Sequence, residues 1–426
     1  MTNKSMAKLL RYRWLIFTIL SSGYILVYFH RIAPAVVAED MMRDLNAGGT
    51  LTGFLSSAYF YSYAVMQLPA GLLSDSWGPR NTITIFLAIS FAGSLIFGFS
   101  TSPFWAILGR ALVGGGVSML FIPTLKILTE WFQKKEFAFM TGLLMAMGGI
   151  GSLSAAAPLV MLNNLIGWRF SFVLVGLLTF ILAIIVWFFV RDSPKDMGLP
   201  SITSDGQTKS SSTGLLQGLY FVISSISFWP VALWFFFNFA ISFSFIGLWG
   251  GPYLTQVYGL SKSQSGQILS MFSLAMIVGS PMQSFILDKI LKGRKPAIIF
   301  SSIITLLITS ALAFYTGKIP VWGLYLLCLG FGIFTSSIVV VAFTIVKELF
   351  PIQIAGTATG IVNIFPFAGG AIFQPILGYI LEKGGVINNK FTLPAYQQAF
   401  FVLFICAALA LFFSLLFKEP IDKSSI

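Results

Sequence analysis

Apolar runs broken by glycine, proline or charge recur along the chain at about 14–37, 51–73, 82–100, 103–127, 138–162, 169–190, 229–251, 265–287, 297–316, 321–346, 355–380 and 398–417. Each is close to the roughly 20 residues that a helix needs to cross a bilayer's hydrocarbon core. Twelve transmembrane helices are therefore expected. One long polar stretch, 191–213, interrupts the series; it is charged at first and then rich in Ser and Thr, as a flexible connection should be. Six runs precede it and six follow. The pattern predicts an all-α integral membrane protein with one six-helix bundle at 1–190, a cytoplasmic central loop at 191–227 and a second bundle at 228–426.

Composition agrees and narrows the function classes. The 426 residues are 57% hydrophobic and 9% charged, with a mean hydropathy of +0.88; a typical soluble domain is about 45–50% apolar and about 25% charged. A soluble enzyme, a nucleic-acid reader and a disordered scaffold are excluded. The net charge of +12 is explained by its placement. With the N-terminus in the cytoplasm, eighteen of the 26 Lys and Arg residues fall on that side and six outside, with Arg31 and Arg110 inside spans. That is the positive-inside bias, so both termini are expected in the cytoplasm and the basic pI needs no nucleic acid. Lys4, Lys8, Arg11 and Arg13 precede an apolar run that outlasts a signal peptide and is taken as the first span. Cys328 and Cys406 both lie in apolar runs, which excludes a disulfide framework or a CxxC site. The single N-x-[ST] sequon, Asn3-Lys4-Ser5, falls on the cytoplasmic side, and the loops are short, so a bacterial inner membrane is expected.

The chain also repeats itself. Glu130-Trp131-Phe132 and Thr141-Gly142 recur at an offset of 218 as Glu348-Leu349-Phe350 and Thr359-Gly360, and Asp75 and Asp288 end equivalent spans 213 apart. A duplicated six-helix unit is a common transporter plan. Between spans two and three, Gly71, Asp75, Gly78 and Arg80 form a turn in which the acid can accept from a helix N-terminus and the arginine can pair across the cytoplasmic mouth. In span four, Gly114 and Gly116 follow Arg110 and permit close helix approach.

With these residues the chain resembles the major facilitator superfamily over essentially its full length. Gly71, Leu73, Asp75, Gly78 and Arg80 match the signature loop G-x-L-x-D-x-x-G-x-R, with Pro79 where a basic residue is commonest. Arg110, Gly114 and Gly116 match R-x-x-x-G-x-G; Gly148, Gly149, Gly151 and Pro158 resemble a loosened Gly-Pro motif; and Asp288, Gly293, Arg294 and Lys295 resemble the weaker second-half loop. A narrower resemblance to the organic-anion and organophosphate branches rests on Tyr28-Phe29-His30-Arg31, Gly167-Trp168-Arg169 and Arg191-Asp192-Ser193-Pro194. In those branches an arginine of span one engages an anionic substrate. This chain lacks the second arginine that organophosphate carriers place in span seven, and it has His30 and Val117 where anion:proton symporters often carry acids. The resemblance thus implies a monocarboxylate or zwitterion rather than a phosphate dianion. The segment Ile32 to Arg80 is also similar to bacterial transporters that import amino acids for intracellular pathogens.

An arginine in mid-span costs at least about 2.5–3.5 kcal/mol to insert, so it must face a cavity or a partner. Tyr24, Tyr28 and Arg31 share one helical stripe, and Tyr59, Tyr63 and Gln67 share another. Arg31 reads as a substrate anchor or an interhelical hydrogen-bonding residue, and Arg110 as a helix pin or a contact for substrate or proton. Asn238 and Ser242 in span seven, with Asn363 and Gln374 in span eleven, are available for a ligand's other end or as glue between helices. All 14 Asp and Glu residues map to loops or span ends, which leaves His30 as the one near-neutral titrating group within a span. A satisfied packing histidine is the alternative, and Glu39 and Asp40 become proton carriers if the first helix runs further. The resulting expectation is a secondary active transporter of a small carboxylate-bearing metabolite, an organic anion or amino acid, working by alternating access about spans one, four, seven and ten. Proton symport is what the resemblance implies for coupling, and a monomer is the family expectation. The alternatives are a membrane sensor that keeps the transporter fold, and facilitated diffusion or exchange of a neutral solute. No cofactor, metal or enzymatic activity is expected, since HExxH and P-loop motifs are lacking.

Overall fold

The structure, a computed structural model, describes residues 3–200, 215–286, 294–350 and 354–417. In chain order the first helices are α1 (Asn3–Ile32), α2 (Pro34–Asp44), α3 (Gly49–Ser76), α4 (Pro79–Gly98), α5 (Pro103–Ser118), α6 (Phe121–Trp131), α7 (Lys134–Ser154) and α8 (Ala157–Phe189). There follow α9 (Leu215–Ser224), α10 (Phe228–Ser244), α11 (Gly250–Gln256), α12 (Lys262–Ile286), α13 (Arg294–Phe314) and α14 (Val321–Phe331). The last are α15 (Val339–Leu349), α16 (Ala355–Val362), α17 (Ile364–Lys383) and α18 (Leu393–Leu415). A hairpin of β1 (Val386–Ile387) and β2 (Lys390–Phe391) joins α17 to α18.

Among the described residues each apolar run of the sequence is largely helical, and ten of the helical stretches are long and apolar enough to cross a membrane. Large apolar side chains stand exposed along them, among them Phe104, Leu165, Phe188 and Leu307. Such a surface is stable only against hydrocarbon.

The breaks follow the backbone chemistry. Ala33 and Pro34 end α1, Pro158 opens α8, and Gly167 at φ 76° kinks α8 at the boundary expected between the fifth and sixth spans. Two π-helical segments, Phe245–Trp249 and Gly332–Ser337, connect α10 to α11 and α14 to α15. The stretch 191–227 is not loop throughout. Pro194–Met197 forms a 3₁₀ turn capped reciprocally by Ser193 and Asp196, and the apolar segment Leu215–Ser224 is α9, which packs on α16.

The chain divides into two compact units. Unit 1 comprises Met1–Ala33 and Ala58–Ser210; unit 2 comprises Pro34–Ser57 and Ser211–Ile426. In unit 1, α1 packs on α7, and α4 packs on α5 and α8. In unit 2, α10 packs on α17, and α13 on α18.

The internal repeat is visible as matched backbone contacts. In unit 1, a Cβ on Gly151 would lie 2.1 Å from the Ile25 carbonyl oxygen, and one on Gly114 2.2 Å from that of Tyr59. In unit 2 the same overlaps occur at Gly369 with Phe236, 2.2 Å, and at Gly332 with Phe272, 2.4 Å. Both glycine pairs are 218 apart, the offset of the sequence repeat. The helix ends match too, since α6 and α15 each exit into a buried, extended phenylalanine, Phe132 at φ −127°, ψ 150° and Phe350 at φ −123°, ψ 150°.

Candidate functional site

The stripe on α1 meets the stripe on α3 in unit 1. Arg31 is 4% exposed, and its guanidinium lies over the Tyr28 ring at 4.3 Å and the Tyr63 ring at 5.3 Å. The Tyr59 hydroxyl donates to the Val27 carbonyl at 3.0 Å, which directs its lone pairs toward Arg31, to which Tyr59 and Tyr63 are both hydrogen-bonded. Tyr24 extends the set, its ring 5.4 Å from Tyr28 and its hydroxyl donating to Met145 Sδ at 3.6 Å. Gly148 on α7 leaves the room, for a Cβ there would come within 2.6 Å of the Tyr28 ring. Five of the residues that the sequence singles out on these two helices, Tyr24, Tyr28, Arg31, Tyr59 and Tyr63, are thus brought together. They make a buried cation walled by phenols, and a guanidinium fork of this kind holds one carboxylate with two parallel hydrogen bonds.

Arg110 and His30 lie round the helix from this set. Arg110 Nη1 donates to the His30 carbonyl at 3.0 Å, and the guanidinium sits 5.0 Å from the Tyr59 ring and 5.8 Å from that of Phe97. Its Nε and Nη2 are buried and have no hydrogen-bond partner among the described residues. Tyr59 therefore stands between two arginines, hydrogen-bonded to one and beneath the other. His30 is fully buried, packs on Phe29 at 5.7 Å and Phe172 at 6.1 Å, and uses neither ring nitrogen in a hydrogen bond among the described residues.

Unit 2 carries a neutral counterpart. Asn238 Nδ2 donates to the Thr335 carbonyl at 2.8 Å, and Ser242 Oγ to Thr335 Oγ1 at 2.6 Å, so α10 is tied to the π segment Gly332–Ser337. Gln374 Nε2 donates to the Phe243 carbonyl at 2.8 Å beside the other π segment, while its Oε1 is buried and has no hydrogen-bond partner among the described residues. Widened turns leave carbonyls short of intrahelical donors, and these amides supply them. Asn363 is half-buried at the break between α16 and α17. Thr335 is the residue that the sequence analysis missed; the run Thr335-Ser336-Ser337 inside an apolar span is the signal that points to it.

The matched glycine contacts fix which residues of unit 2 correspond to the arginine cluster. At the α1-to-α10 offset of 211, Tyr24, Tyr28 and Arg31 become Phe235, Phe239 and Ser242; at the α3-to-α12 offset of 213, Tyr59 and Tyr63 become Phe272 and Met276. Every phenol and the cation are replaced by an apolar or uncharged group. At these five positions charge is confined to the first copy.

The loop between α3 and α4 corrects one expectation. The acceptor at the N-terminus of α4 is Asp192, not Asp75: Asp192 Oδ1 accepts the Arg80 backbone N–H at 2.7 Å, and Arg80 Nη2 donates to the Trp187 carbonyl at 2.5 Å while stacking on the Trp187 ring. Asp75, in the exposed last turn of α3, pairs instead with Lys126 at 2.6 Å. Burial pushes the Asp192 carboxyl above the ordinary range, against the Arg80 N–H, which pulls it down. Gly78 has φ 83°, ψ 150°, whereas a Cβ on Gly71 would meet nothing within 4 Å. In the second half, Asp288 and Gly293 lie outside the described residues, and Arg294 pairs with Glu348.

Comparison with known proteins places the chain. The family profile described as Major Facilitator Superfamily matches residues 20–373 and 252–426. The chain is 24% identical to the "Probable hexose phosphate transport protein" of Chlamydia trachomatis serovar D, over 94% of this chain and 90% of that protein. It is 25% identical to the "Membrane sensor protein UhpC" of Salmonella typhimurium, over 84% of this chain and 83% of that one. Among solved structures, a bacterial homologue of the human lysosomal transporter Spinster superposes with a TM-score of 0.73 at 17% identity, over 95% of this chain and 98% of that one. With its duplicated six-helix units and this match over nearly its whole length, the chain belongs to the major facilitator superfamily of membrane transporters.

Proposed function

We propose that the protein is a secondary active transporter of a small organic anion bearing a single carboxylate, an organic acid or an amino acid, and that it works by alternating access with proton symport in a bacterial inner membrane. The observation that carries this reading is Arg31, a guanidinium held among Tyr24, Tyr28, Tyr59 and Tyr63, whose equivalents in the second copy are uncharged. One fork suits one carboxylate. A phosphate dianion calls for a second cation, and Ser242 stands at the equivalent position. The relative named for hexose phosphate supports the anionic class, while the lack of a cation at the equivalent position of the second copy, where Ser242 stands, moves the choice within that class towards a monoanion. Asn238 and Gln374 are the candidates for the uncharged end of the substrate. His30, between Phe29 and Phe172, is a weaker candidate for the coupling group than its sequence position suggested.

The test is a thermal-shift screen of the purified protein against amino acids, mono- and dicarboxylates, sugar phosphates and neutral sugars, with Arg31→Lys alongside. A ligand at a hundred times its Kd adds about 2.7 kcal/mol to stability. A monocarboxylate or amino acid is expected to raise the melting point of the wild type and not of Arg31→Lys. A neutral sugar that stabilises both equally would overturn the anion reading. Because a sensor is among the relatives, the hit is then followed for flux in proteoliposomes; binding without net flux under pH and voltage gradients would favour sensing over transport.

A further inference from the structure

The first span is longer than the hydrocarbon it has to cross. Its apolar stretch, Met6–Ile32, holds 27 residues, about 40 Å of helix at about 1.5 Å per residue against a core of about 30 Å, so α1 reaches into the headgroup layer. Lys8, Arg11 and Arg13 stand in its opening turns and divide between two faces. Arg13 lies on the side of the fully buried Leu9 and Ile16, where it pairs with Glu136 of α7 at 3.0 Å and sits over the Phe132 ring at 5.0 Å. Lys8 and Arg11, three residues apart, are exposed on the outer face, and neither pairs with an acid among the described residues. With Ala7, Tyr12 and Leu15 they line an open cavity of about 450 Å³, within the size range of small-molecule sites. Tyr12 is a fixed wall of this cavity, since its hydroxyl donates to the Phe189 carbonyl at 2.5 Å and its ring rests 5.6 Å from that of Trp131. Leu15, 41% exposed and one turn beyond Arg11, carries the same face on into the lipid-facing surface of the span.

We propose that this cavity is a site for an anionic phospholipid, with the phosphodiester on Lys8 and Arg11 and an acyl chain along Leu15. The guanidinium fork takes two phosphate oxygens in parallel, and the ammonium adds a point charge on a flexible stem. A phospholipid carries its charge and its apolar tails in sequence, and this face of α1 offers two cations and then a leucine in the same order. A free phosphate would use the first half alone. Arg13 does not compete for the lipid, because Glu136 already meets its charge. Bound there, the phosphate neutralises the two cations that the protein leaves unpaired among its described residues. The site makes no use of the Arg31 cluster, so it stands or falls separately from the transport reading.

The experiment attaches a bimane fluorophore to Leu15→Cys, in a Cys328→Ser/Cys406→Ser background in phosphatidylcholine nanodiscs, and compares quenching by brominated phosphatidylglycerol with quenching by brominated phosphatidylcholine. Leu307→Cys, 60% exposed on α13, reports the preference of the bulk lipid. Phosphatidylglycerol is expected to be preferred at Leu15→Cys and not at Leu307→Cys. Lys8→Gln and Arg11→Gln should each reduce that preference about fivefold, the effect of one basic residue near a membrane surface, and the double variant should bring it to the level at Leu307→Cys. Arg11→Lys should keep most of it. Quenching by brominated phosphatidylcholine, unchanged across these variants, shows that the probe still faces lipid. An equal preference at both probe positions, or one that survives the double variant, overturns the site. Displacement of the brominated phosphatidylglycerol by glycerol phosphate dissolved in the buffer overturns the lipid assignment and leaves a site for soluble phosphates.

Discussion

Asp192 shows how one side chain can serve a helix at a cost. Its carboxylate caps the N-terminus of α4, yet burial disfavours the charge, so its folded-state pKa lies above that of the unfolded chain. Its contribution to stability is therefore fullest below the unfolded carboxylate range, near about 4, and is lost as the pH rises through the folded value. Asp192→Asn keeps an amide oxygen for the Arg80 N–H and removes the titration. Melting points measured from pH 4 to pH 7 are expected to show the variant gaining on the wild type as the pH rises. A difference that stays constant with pH would mean that burial does not govern this carboxyl. The residues of the Arg31 cluster were legible from sequence, because helical spacing puts Tyr24, Tyr28 and Arg31 on one stripe. Asp192 was not legible as a cap, because 112 residues separate it from Arg80.

At the scale of elements, spans were easier to foresee than the irregularities inside them. Apolar length alone marks a span, whereas the π segments FIGLW and GIFTSS have no distinctive composition and depend on Asn238 and Gln374 arriving from other helices to satisfy their neighbourhoods. The loop from α3 to α4 divides its signature residues by physical role. Gly78 occupies a region of backbone space that is essentially confined to glycine, where another residue costs about 1–3 kcal/mol. Gly71 is helical with open space around it, and the Asp75–Lys126 pair is solvent-exposed; such pairs contribute about 0–1 kcal/mol. Gly78→Ala is therefore expected to lower the melting point by several degrees, and Gly71→Ala and Asp75→Ala to leave it nearly unchanged. A role for Asp75 and Arg80 in closing the cytoplasmic mouth, which the signature loop suggests, would show in something stability does not report: Asp75→Ala should speed labelling of a Ser76→Cys probe. Unchanged labelling would reduce Asp75 to a surface charge.

For the whole molecule, the duplication settles how one chain can combine symmetry of backbone with asymmetry of charge. The two copies share glycine contacts and helix exits, so packing makes the same demand on both, while Arg31 and its phenols stand in one copy only. Orientation in the membrane is a property at this same scale, since it depends on the summed cationic charge of all loops rather than on any contact. Eighteen Lys and Arg on one side against six on the other predict that both termini and the segment at Lys195 face the cytoplasm, and that Ser263 and Asn389 face outward. A membrane-impermeant maleimide applied to intact cells should label Ser263→Cys and Asn389→Cys at once, and Lys195→Cys only after permeabilisation. The reverse pattern would invert the topology and show that the summed charge of the loops does not set the orientation of this chain.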